Sequence, residues 1–178
     1  IGPFPRNPAK YNCTASNARN MHPRVEKRLQ DIAAYADNAP FNRIEWRDRS
    51  LGIVTSGVLY CYVQDVFPNA SILKLGMTNP LPRRMIQEFA AGVKRLLVIE
   101  ELDPVLEEQI RAMGISLTGK EVFPACLELL PQDIRRHSIA AGLLPVDAAG
   151  TAPEPVTDVP RRSPTFCAGC PHRSTFYL

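Results

Sequence analysis

The residues best suited to chemistry are Cys167 and Cys170, which lie three positions apart near the end of the sequence. Gly169 lies between them and His172 follows. Two thiolates at this spacing can bind one zinc ion or one iron of a cluster, but such a site needs further ligands. No other cysteine or histidine follows before Leu178. The pair is therefore compatible with half of a zinc knuckle, a redox pair or a turn of small residues.

Both ends of the sequence favour a segment of a longer polypeptide. The chain begins at Ile1 rather than at methionine and soon reaches Pro3, Pro5 and Pro8. At the other end, the cysteine motif is incomplete. We therefore expect the function to be that of a longer polypeptide to which this segment contributes.

The composition is that of a globular protein with room for one core. The 178 residues are 45% hydrophobic and 22% charged, with a formal net charge of +3. No apolar run approaches the ~20 residues that cross a membrane, so we predict no membrane partner. Cys13, Cys61 and Cys126 stand singly, and the total of five cysteines is odd. This pattern argues against a disulfide framework and predicts a cytoplasmic protein.

Nucleic acid is not a predicted partner. The basic pairs Arg83-Arg84, Arg135-Arg136 and Arg161-Arg162 are short and lack interleaved aromatic residues. Such pairs are more typical of a solvated face or a linker than of a nucleic-acid footprint.

The elements that would position a site alternate between strands and helices. Residues 1–18 are predicted to be an irregular arm. The predicted strands are 43–46, 51–55, 71–75, 95–100 and 121–123. The predicted helices are 23–36, 58–66, 80–91, 103–114 and 131–141. This order predicts an α/β fold, a three-layer α/β/α sandwich around a mostly parallel sheet.

Ligands of such a sheet bind at the loops beyond the carboxyl ends of its strands. These candidate loops contain Thr55, Ser56 and Gly57, then Met77, Thr78 and Asn79, and then Glu101. The first loop offers backbone N–H groups at a helix start, which suit an anion. It lacks the glycine spacing of a dinucleotide fingerprint, so an ordinary strand-to-helix turn is the favoured interpretation. An alternative function is therefore a stand-alone α/β module that binds an anion or CoA.

Charged residues near these loops have competing interpretations. Glu100 and Glu101 are adjacent, so a strand would point them to opposite faces and at most one would enter a given cleft. We favour a polar loop in which Asp103 caps the next helix. Lys74 lies within an apolar strand and is expected to pair with an acid or to face a domain interface. His22 and His137 are predicted to be surface residues.

Several separated motifs resemble the large (alpha) subunit of indolepyruvate ferredoxin oxidoreductase. They are Asn42-Arg-Ile-Glu-Trp46, Leu51-Gly-Ile-Val-Thr-Ser-Gly57, Ser71-Ile-Leu-Lys-Leu-Gly-Met-Thr-Asn-Pro-Leu-Pro82, Val98-Ile-Glu-Glu-Leu-Asp-Pro104, Glu107-Glu-Gln-Ile110 and Cys167-Ala-Gly-Cys-Pro-His-Arg173 with Phe176-Tyr177. They occur in the family's order and span nearly the whole chain.

Composition, periodicity and this resemblance together predict four parts. Residues 1–40 form an N-terminal arm and an amphipathic helix, and residues 41–144 form a domain like the transketolase C-terminal domain. Residues 145–164 form a Pro/Ala-rich linker, and residues 165–178 are the truncated start of a thiamine-diphosphate-binding domain. In the family, the second part lies between the pyrimidine-binding and pyrophosphate-binding domains.

The family oxidatively decarboxylates aryl pyruvates to acyl-CoA with thiamine diphosphate, Mg²⁺ and [4Fe-4S] clusters. The implied partners are other domains of the subunit, a smaller beta subunit or its fused equivalent, ferredoxin and CoA. The resemblance places Cys167, Gly169, Cys170 and His172 near thiamine diphosphate and makes the two cysteines candidate cluster ligands. The segment lacks the catalytic acid and the magnesium motif, so we expect an inactive docking segment that itself holds no cofactor. A CoA-binding module and a zinc-knuckle nucleic-acid binder remain the alternatives.

Overall fold

A four-stranded sheet forms the centre of the protein. The structure, a computed structural model, describes residues 2–149 and 165–176. The strands are β1 (Arg43–Glu45), β2 (Asp48–Ser56), β3 (Ala70–Leu75) and β4 (Arg95–Ile99). The helices are α1 (Pro8–Tyr11), α2 (Ala15–Ala36), α3 (Leu59–Val66), α4 (Arg83–Ala91), α5 (Val105–Arg111), α6 (Pro131–Ala140) and α7 (His172–Phe176), with a 3-10 helix at Val146–Ala149. Residues 150–164, most of the predicted linker, and Tyr177 of the last motif lie outside the described residues.

The sheet has the order β1-β3-β2-β4 and is mostly parallel, as predicted. The central strand β2 pairs in parallel with both β3 and β4. Strand β1 pairs antiparallel with β3 at one edge, so the sheet is mixed. The carboxyl ends of the three parallel strands therefore lie on one edge of the sheet, where their following loops can meet.

Alternating strand residues cover both faces of the sheet. Ile53 and Leu97 face the helices α3 and α6, where Ile134 is fully buried. Val54 faces the opposite layer, which is formed by α4 and α5 and contains the fully buried Phe89. Successive side chains of a strand point to opposite faces, so the same strands contribute to two apolar cores. The predicted three-layer sandwich is confirmed.

Helix α2 differs from its predicted bounds. It begins at Ala15 and not at Pro23, which lies inside the helix. The prediction used Pro23 as a first-turn proline, but its ring also fits a longer helix that tolerates one missing backbone hydrogen bond. The predicted irregular arm is consequently helical in part. Of the residues in α2, only Ala36 is buried.

The predicted strand at 121–123 is also wrong. The chain there makes a turn, in which the N–H groups of Val122 and Phe123 donate to the carbonyl oxygen of Gly119. The bridge to the sheet comes earlier, where Thr118 pairs in parallel with Leu97. Phe123 is nevertheless buried. The prediction took this apolar residue as part of a strand, whereas it packs into the core from a turn.

Trp46 packs on the amino-terminal side of the sheet. Its ring centroid lies 5.3 Å from that of Phe89, and the guanidinium of Arg49 lies 4.3 Å from the centre of the tryptophan ring. A Cβ atom at Gly92, the C-cap residue that follows α4, would lie 2.4 Å from Trp46. Glycine is therefore required there for the close approach of the indole. Within the described ranges, no helix combines the length and apolar character needed to cross a membrane.

Gly52 in the central strand should tolerate no side chain. A Cβ atom there would lie 2.8 Å from both γ carbons of Val93 and 3.1 Å from the ring of Phe89. We expect Gly52→Ala to lower the free energy of unfolding by about 1–3 kcal/mol, because the stiff valine and the buried ring must move. Urea denaturation measures this change. Gly2→Ala is the matched control, since nothing lies within 4 Å of its Cβ position, and equal stability of both variants would contradict the packing.

Candidate functional site

The loops after β2, β3 and β4 enclose a cleft of about 380 Å³ at the carboxyl edge of the sheet. We call it the carboxyl-edge cleft. It is lined by Ser56, Gly57, Val58, Leu59, Thr78, Glu100, Glu101, Leu102, Asp103, Val105 and Leu106. The structure thus brings four of the predicted loop residues together.

Three other predicted loop residues do not line this cleft. Thr55 is fully buried, and its hydroxyl donates to the carbonyl oxygen of Ile99 at 2.9 Å, which ties β2 to β4. The N–H of Met77 donates to Oδ1 of Asn42 at 2.9 Å. Asn79 precedes a cis proline in the same loop. These residues shape the edge of the sheet and do not form the cleft wall.

Asn42 is a positioning residue that the sequence interpretation did not single out. Its buried amide oxygen accepts hydrogen bonds from the N–H groups of Gly76 and Met77, at 2.8 and 2.9 Å. Its Nδ2 donates to the carbonyl oxygen of Ala36 at 2.9 Å. One side chain therefore joins the end of α2 to the loop after β3. Nothing in the local sequence distinguishes this asparagine from a turn residue.

Glu100, and not Asp103, satisfies the start of α5. The two carboxylate oxygens of Glu100 accept hydrogen bonds from the N–H groups of Leu106 and Glu107, at 2.8 and 2.9 Å. The N-cap position is Pro104, which has no side-chain acceptor. An acidic side chain from the preceding strand end thus meets the positive end of the helix and leaves no room there for an external anion.

The adjacent Glu101 takes a separate role. One of its carboxylate oxygens accepts from the N–H of Leu129 at 3.1 Å. Both acids nevertheless contribute atoms to the cleft lining, so the expectation that at most one would enter it is wrong. The strict alternation of a strand stops at Ile99, where β4 ends, and no longer separates the two side chains.

A second buried carboxylate, that of Glu107, joins α5 to the turn at residues 119–120. Glu107 accepts hydrogen bonds from the guanidinium of Arg111 at 3.1 Å and from the N–H of Lys120 at 2.7 Å. A Cβ atom at Gly119 would lie 2.0 Å from this carboxylate, so glycine is required for its close approach. Burial lowers the pKa of the Lys120 ammonium, and the charges of Glu100 and Glu107 partly oppose this effect. The Glu107–Arg111 spacing of four was the signal that could have revealed this cluster.

The charge of the carboxyl-edge cleft is acidic. Residues 100–110 contain five carboxylates and no lysine or arginine. Two of these, Glu101 and Asp103, are exposed residues of the cleft lining. Exposed carboxylates repel phosphate groups, so this cleft is poorly suited to a polyphosphate ligand.

Lys74 meets an aromatic ring. Its Nζ lies 5.1 Å from the ring centroid of Tyr60, a cation–π distance. The Tyr60 hydroxyl donates to Glu45 at 2.5 Å and accepts from Arg43 at 2.7 Å. Burial acts to raise the pKa of Glu45, but the Tyr60 hydrogen bond and the charges of Arg43 and Arg47 outweigh it and lower that pKa. Whether Lys74 also faces another domain stays a prediction.

The cysteine motif forms a turn. The N–H of Cys170 donates to the carbonyl oxygen of Cys167 at 3.1 Å, and Gly169 has a φ of 80°. The sulfur of Cys170 lies 3.3 Å from Nδ1 of His172. In residues 2–149 and 165–176, no group of three or more His, Cys, Asp or Glu residues could hold a metal ion. The described residues therefore do not supply a complete site for Mg²⁺ or a cluster, and the cofactor roles of the motif stay predictions.

Comparison with known proteins identifies relatives along the whole chain. No protein-family model matches. Indolepyruvate oxidoreductase subunit IorA of Methanothermobacter thermautotrophicus is 33% identical to the chain over 189 residues, which cover 99% of this chain. The chain is a homologue of part of this subunit. The IorA subunits of Thermococcus kodakarensis and Pyrococcus horikoshii are 31% and 32% identical, again over 99% of the chain.

The match to IorA spans about 30% of the length of each of these relatives. One solved structure has a similar fold. It is a 2-oxoglutarate:ferredoxin oxidoreductase from Magnetococcus marinus, similar at a TM-score of 0.55 with 20% identity, over 75% of this chain and 24% of that one. The resemblance inferred from the motifs is confirmed.

Removing the charge of Glu100 should loosen the start of α5. We expect Glu100→Gln to lower the free energy of unfolding by about 1–3 kcal/mol, because an amide can accept only one of the two backbone N–H bonds and leaves the other buried donor unsatisfied. Glu108→Gln, an exposed acid in the first turn of the same helix, is the control. Urea denaturation of both variants tests the cap, and equal losses would contradict it.

The Tyr60 hydroxyl should control acid stability through Glu45. Because the pKa of Glu45 is lowered by folding, its contribution is present above the ordinary pKa near 4.5 and is lost as pH falls through the lower folded value. We expect Tyr60→Phe to raise this folded pKa towards its ordinary value, so that less stability is lost on acidification and the loss is complete at a higher pH than in the unaltered chain. Unfolding free energies measured in urea across this acidic range test the shift. Tyr62→Phe on the same helix should leave the profile unchanged.

Proposed function

We propose that this chain is a structural and docking segment of an indolepyruvate-type 2-oxoacid:ferredoxin oxidoreductase. The observation that supports this most strongly is the similarity to IorA subunits along 99% of the chain. The solved neighbour is named as an enzyme of the same broad class. The substrate class of the complete enzyme would be aryl pyruvates, with CoA as acyl acceptor and ferredoxin as electron acceptor.

The cofactors of that enzyme would be held elsewhere in the assembly. Thiamine diphosphate would supply the electron sink for decarboxylation, with Mg²⁺ to bind it and [4Fe-4S] clusters to carry electrons. Cys167, Gly169, Cys170 and His172 would lie near the thiamine site. The proposed partners are the other domains of the same subunit, a smaller beta subunit or its fused equivalent, ferredoxin and CoA, in the cytoplasm.

The local geometry supports a positioning role. The acids that would otherwise be available for proton transfer are engaged by the backbone, Glu100 at the start of α5 and Glu107 at Lys120. Asn42 ties α2 to the loop after β3. A rigid edge of this kind suits the orientation of neighbouring domains, which contributes to rate through geometry.

The two alternatives have less support. An anion- or CoA-binding module is not favoured because Glu101 and Asp103 line the carboxyl-edge cleft and Glu100 occupies the start of α5. A zinc knuckle would use Cys167 and Cys170, both in the turn before α7. Zinc bound in equal amount by the unaltered chain but not by Cys170→Ser would favour the zinc knuckle over the proposal.

The proposal predicts activity in the complete enzyme and none in the segment. With the full-length subunit and its partner subunit, we expect CoA-dependent reduction of ferredoxin by indolepyruvate, followed by the absorbance of the reduced clusters. The 178-residue chain, supplied with thiamine diphosphate and Mg²⁺, should give no turnover because the reacting groups lie outside it.

Two results would contradict this assignment. One is turnover of indolepyruvate by the 178-residue chain. The other is a complete enzyme that fails to use any 2-oxoacid while retaining its cofactors. Calorimetric titration of the chain with CoA distinguishes the docking segment from the CoA-binding module. A docking segment should give no heat of binding, whereas a CoA-binding module should give one.

A further inference from the structure

Two exposed leucines have a left-handed backbone conformation. Leu102 has a φ of 56° and is 55% exposed, and Leu127 has a φ of 67° and is 84% exposed. A leucine at positive φ is strained, and such residues cluster at binding sites. Neither leucine belongs to the two buried cores. The presence of two exposed leucines in a strained conformation therefore needs an explanation other than core packing.

The two leucines share a shallow groove of about 600 Å³. We call it the acidic leucine surface, and it is lined by Glu101, Leu102, Leu127, Glu128 and Leu130. It contains three leucines, two carboxylates and no basic residue. Leu127 and Glu128 belong to a loop whose residues 125–128 are all exposed.

A second groove has the opposite charge. It has a volume of about 620 Å³ and lies between α1 and α2. We call it the basic groove, and its principal lining residues are Lys10, Tyr11, Met21, Arg24, Val25 and Arg28. Three cations surround an aromatic ring and two aliphatic side chains, and no acid lines the groove.

The basic groove is already formed in the single chain. Nδ2 of Asn17 on α2 donates to the carbonyl oxygens of Ala9 and Asn12, at 2.7 and 2.5 Å. These bonds fasten α1 along α2. Between them, the two helices bury none of their described residues except Ala36, so the groove is exposed along its length. A formed groove loses little conformational entropy on binding.

We propose that the Leu127–Glu128 loop of one copy docks in the basic groove of a second copy of this chain. Leu127 would enter among Tyr11, Met21 and Val25, and Glu128 would meet Arg24 and Arg28. An apolar side chain at the centre with opposite charges at the rim is the usual anatomy of a specific interface. The loop offers an apolar side chain beside a carboxylate, and the groove offers apolar side chains beside cations. Because one chain carries both surfaces, this complementarity favours a second copy.

The contact joins two different surfaces, so reciprocal exchange between two copies closes a dimer, whereas one-way contacts would extend into a chain of copies. The closed dimer, in which each copy supplies one loop and one groove, leaves no loop or groove unoccupied and is therefore the form of the proposed contact. This inference is independent of the proposed enzymatic role, because it concerns association of the 178-residue chain alone.

Charge reversal with mixing tests the contact. We expect the chain to sediment as a concentration-dependent dimer at low salt, weakened at high salt. Glu128→Lys alone and Arg24→Glu with Arg28→Glu alone should each weaken the dimer about tenfold or more. An equal mixture of the two variants should restore it, because each loop then meets a groove of opposite charge. A chain that is monomeric at all concentrations, or a mixture that stays monomeric, would overturn the proposal.

Leu127→Asn separates the contact from the fold. Asparagine tolerates the left-handed conformation but removes the apolar side chain, so thermal unfolding should be preserved while dimerisation is lost. Glu88→Lys with Arg83→Glu, two exposed reversals on α4, should leave the dimer intact. Retention of the dimer by Leu127→Asn, or its loss in the α4 control, would exclude this docking mode.

Discussion

The carboxylate of Glu100 is the interaction on which the carboxyl edge of the sheet depends. It lies just beyond β4 and accepts from two N–H groups at the start of α5, so the strand end and the helix start are held by one side chain. The carbonyl oxygen of the same residue accepts from Nζ of Lys120 at 2.5 Å. One residue therefore joins the strand, the helix and the turn that follows. A helix start satisfied from inside the protein needs no external anion.

Hydrogen bonds inside the protein therefore engage several of the carboxylates that the sequence places at this edge. Five acids lie between residues 100 and 110, and the sequence predicted a structural role only for Asp103, as a helix cap. In the fold, Glu100 and Glu107 are buried and hydrogen-bonded to backbone groups, and Glu101 accepts from the loop that contains Leu129. A buried carboxylate that accepts from backbone donors stabilises local geometry, which is the property that the proposed positioning role requires.

The sequence predicted the layers well because two periodicities are visible in it. Alternating residues such as Ile53 and Val54 point to opposite cores, and the α4 stripe containing Phe89 repeats at helical spacing. The early start of α2 was missed because Pro23 resembles a first-turn residue and also fits inside a helix. The Glu100 cap and the Asn42 bridge were missed because their partners are backbone groups, whose positions depend on tertiary structure. Propensity does not encode such contacts.

The placement of Trp46 gives this protein a built-in optical probe. It is the only tryptophan in the sequence, and it rests on Phe89, a fully buried residue of one of the two cores. The guanidinium of Arg49 lies over its ring. Its fluorescence should therefore respond to loosening of the α4–α5 layer in particular. The α3–α6 layer would need a different spectroscopic reporter. With such a reporter, the unfolding of the two helical layers can be followed separately.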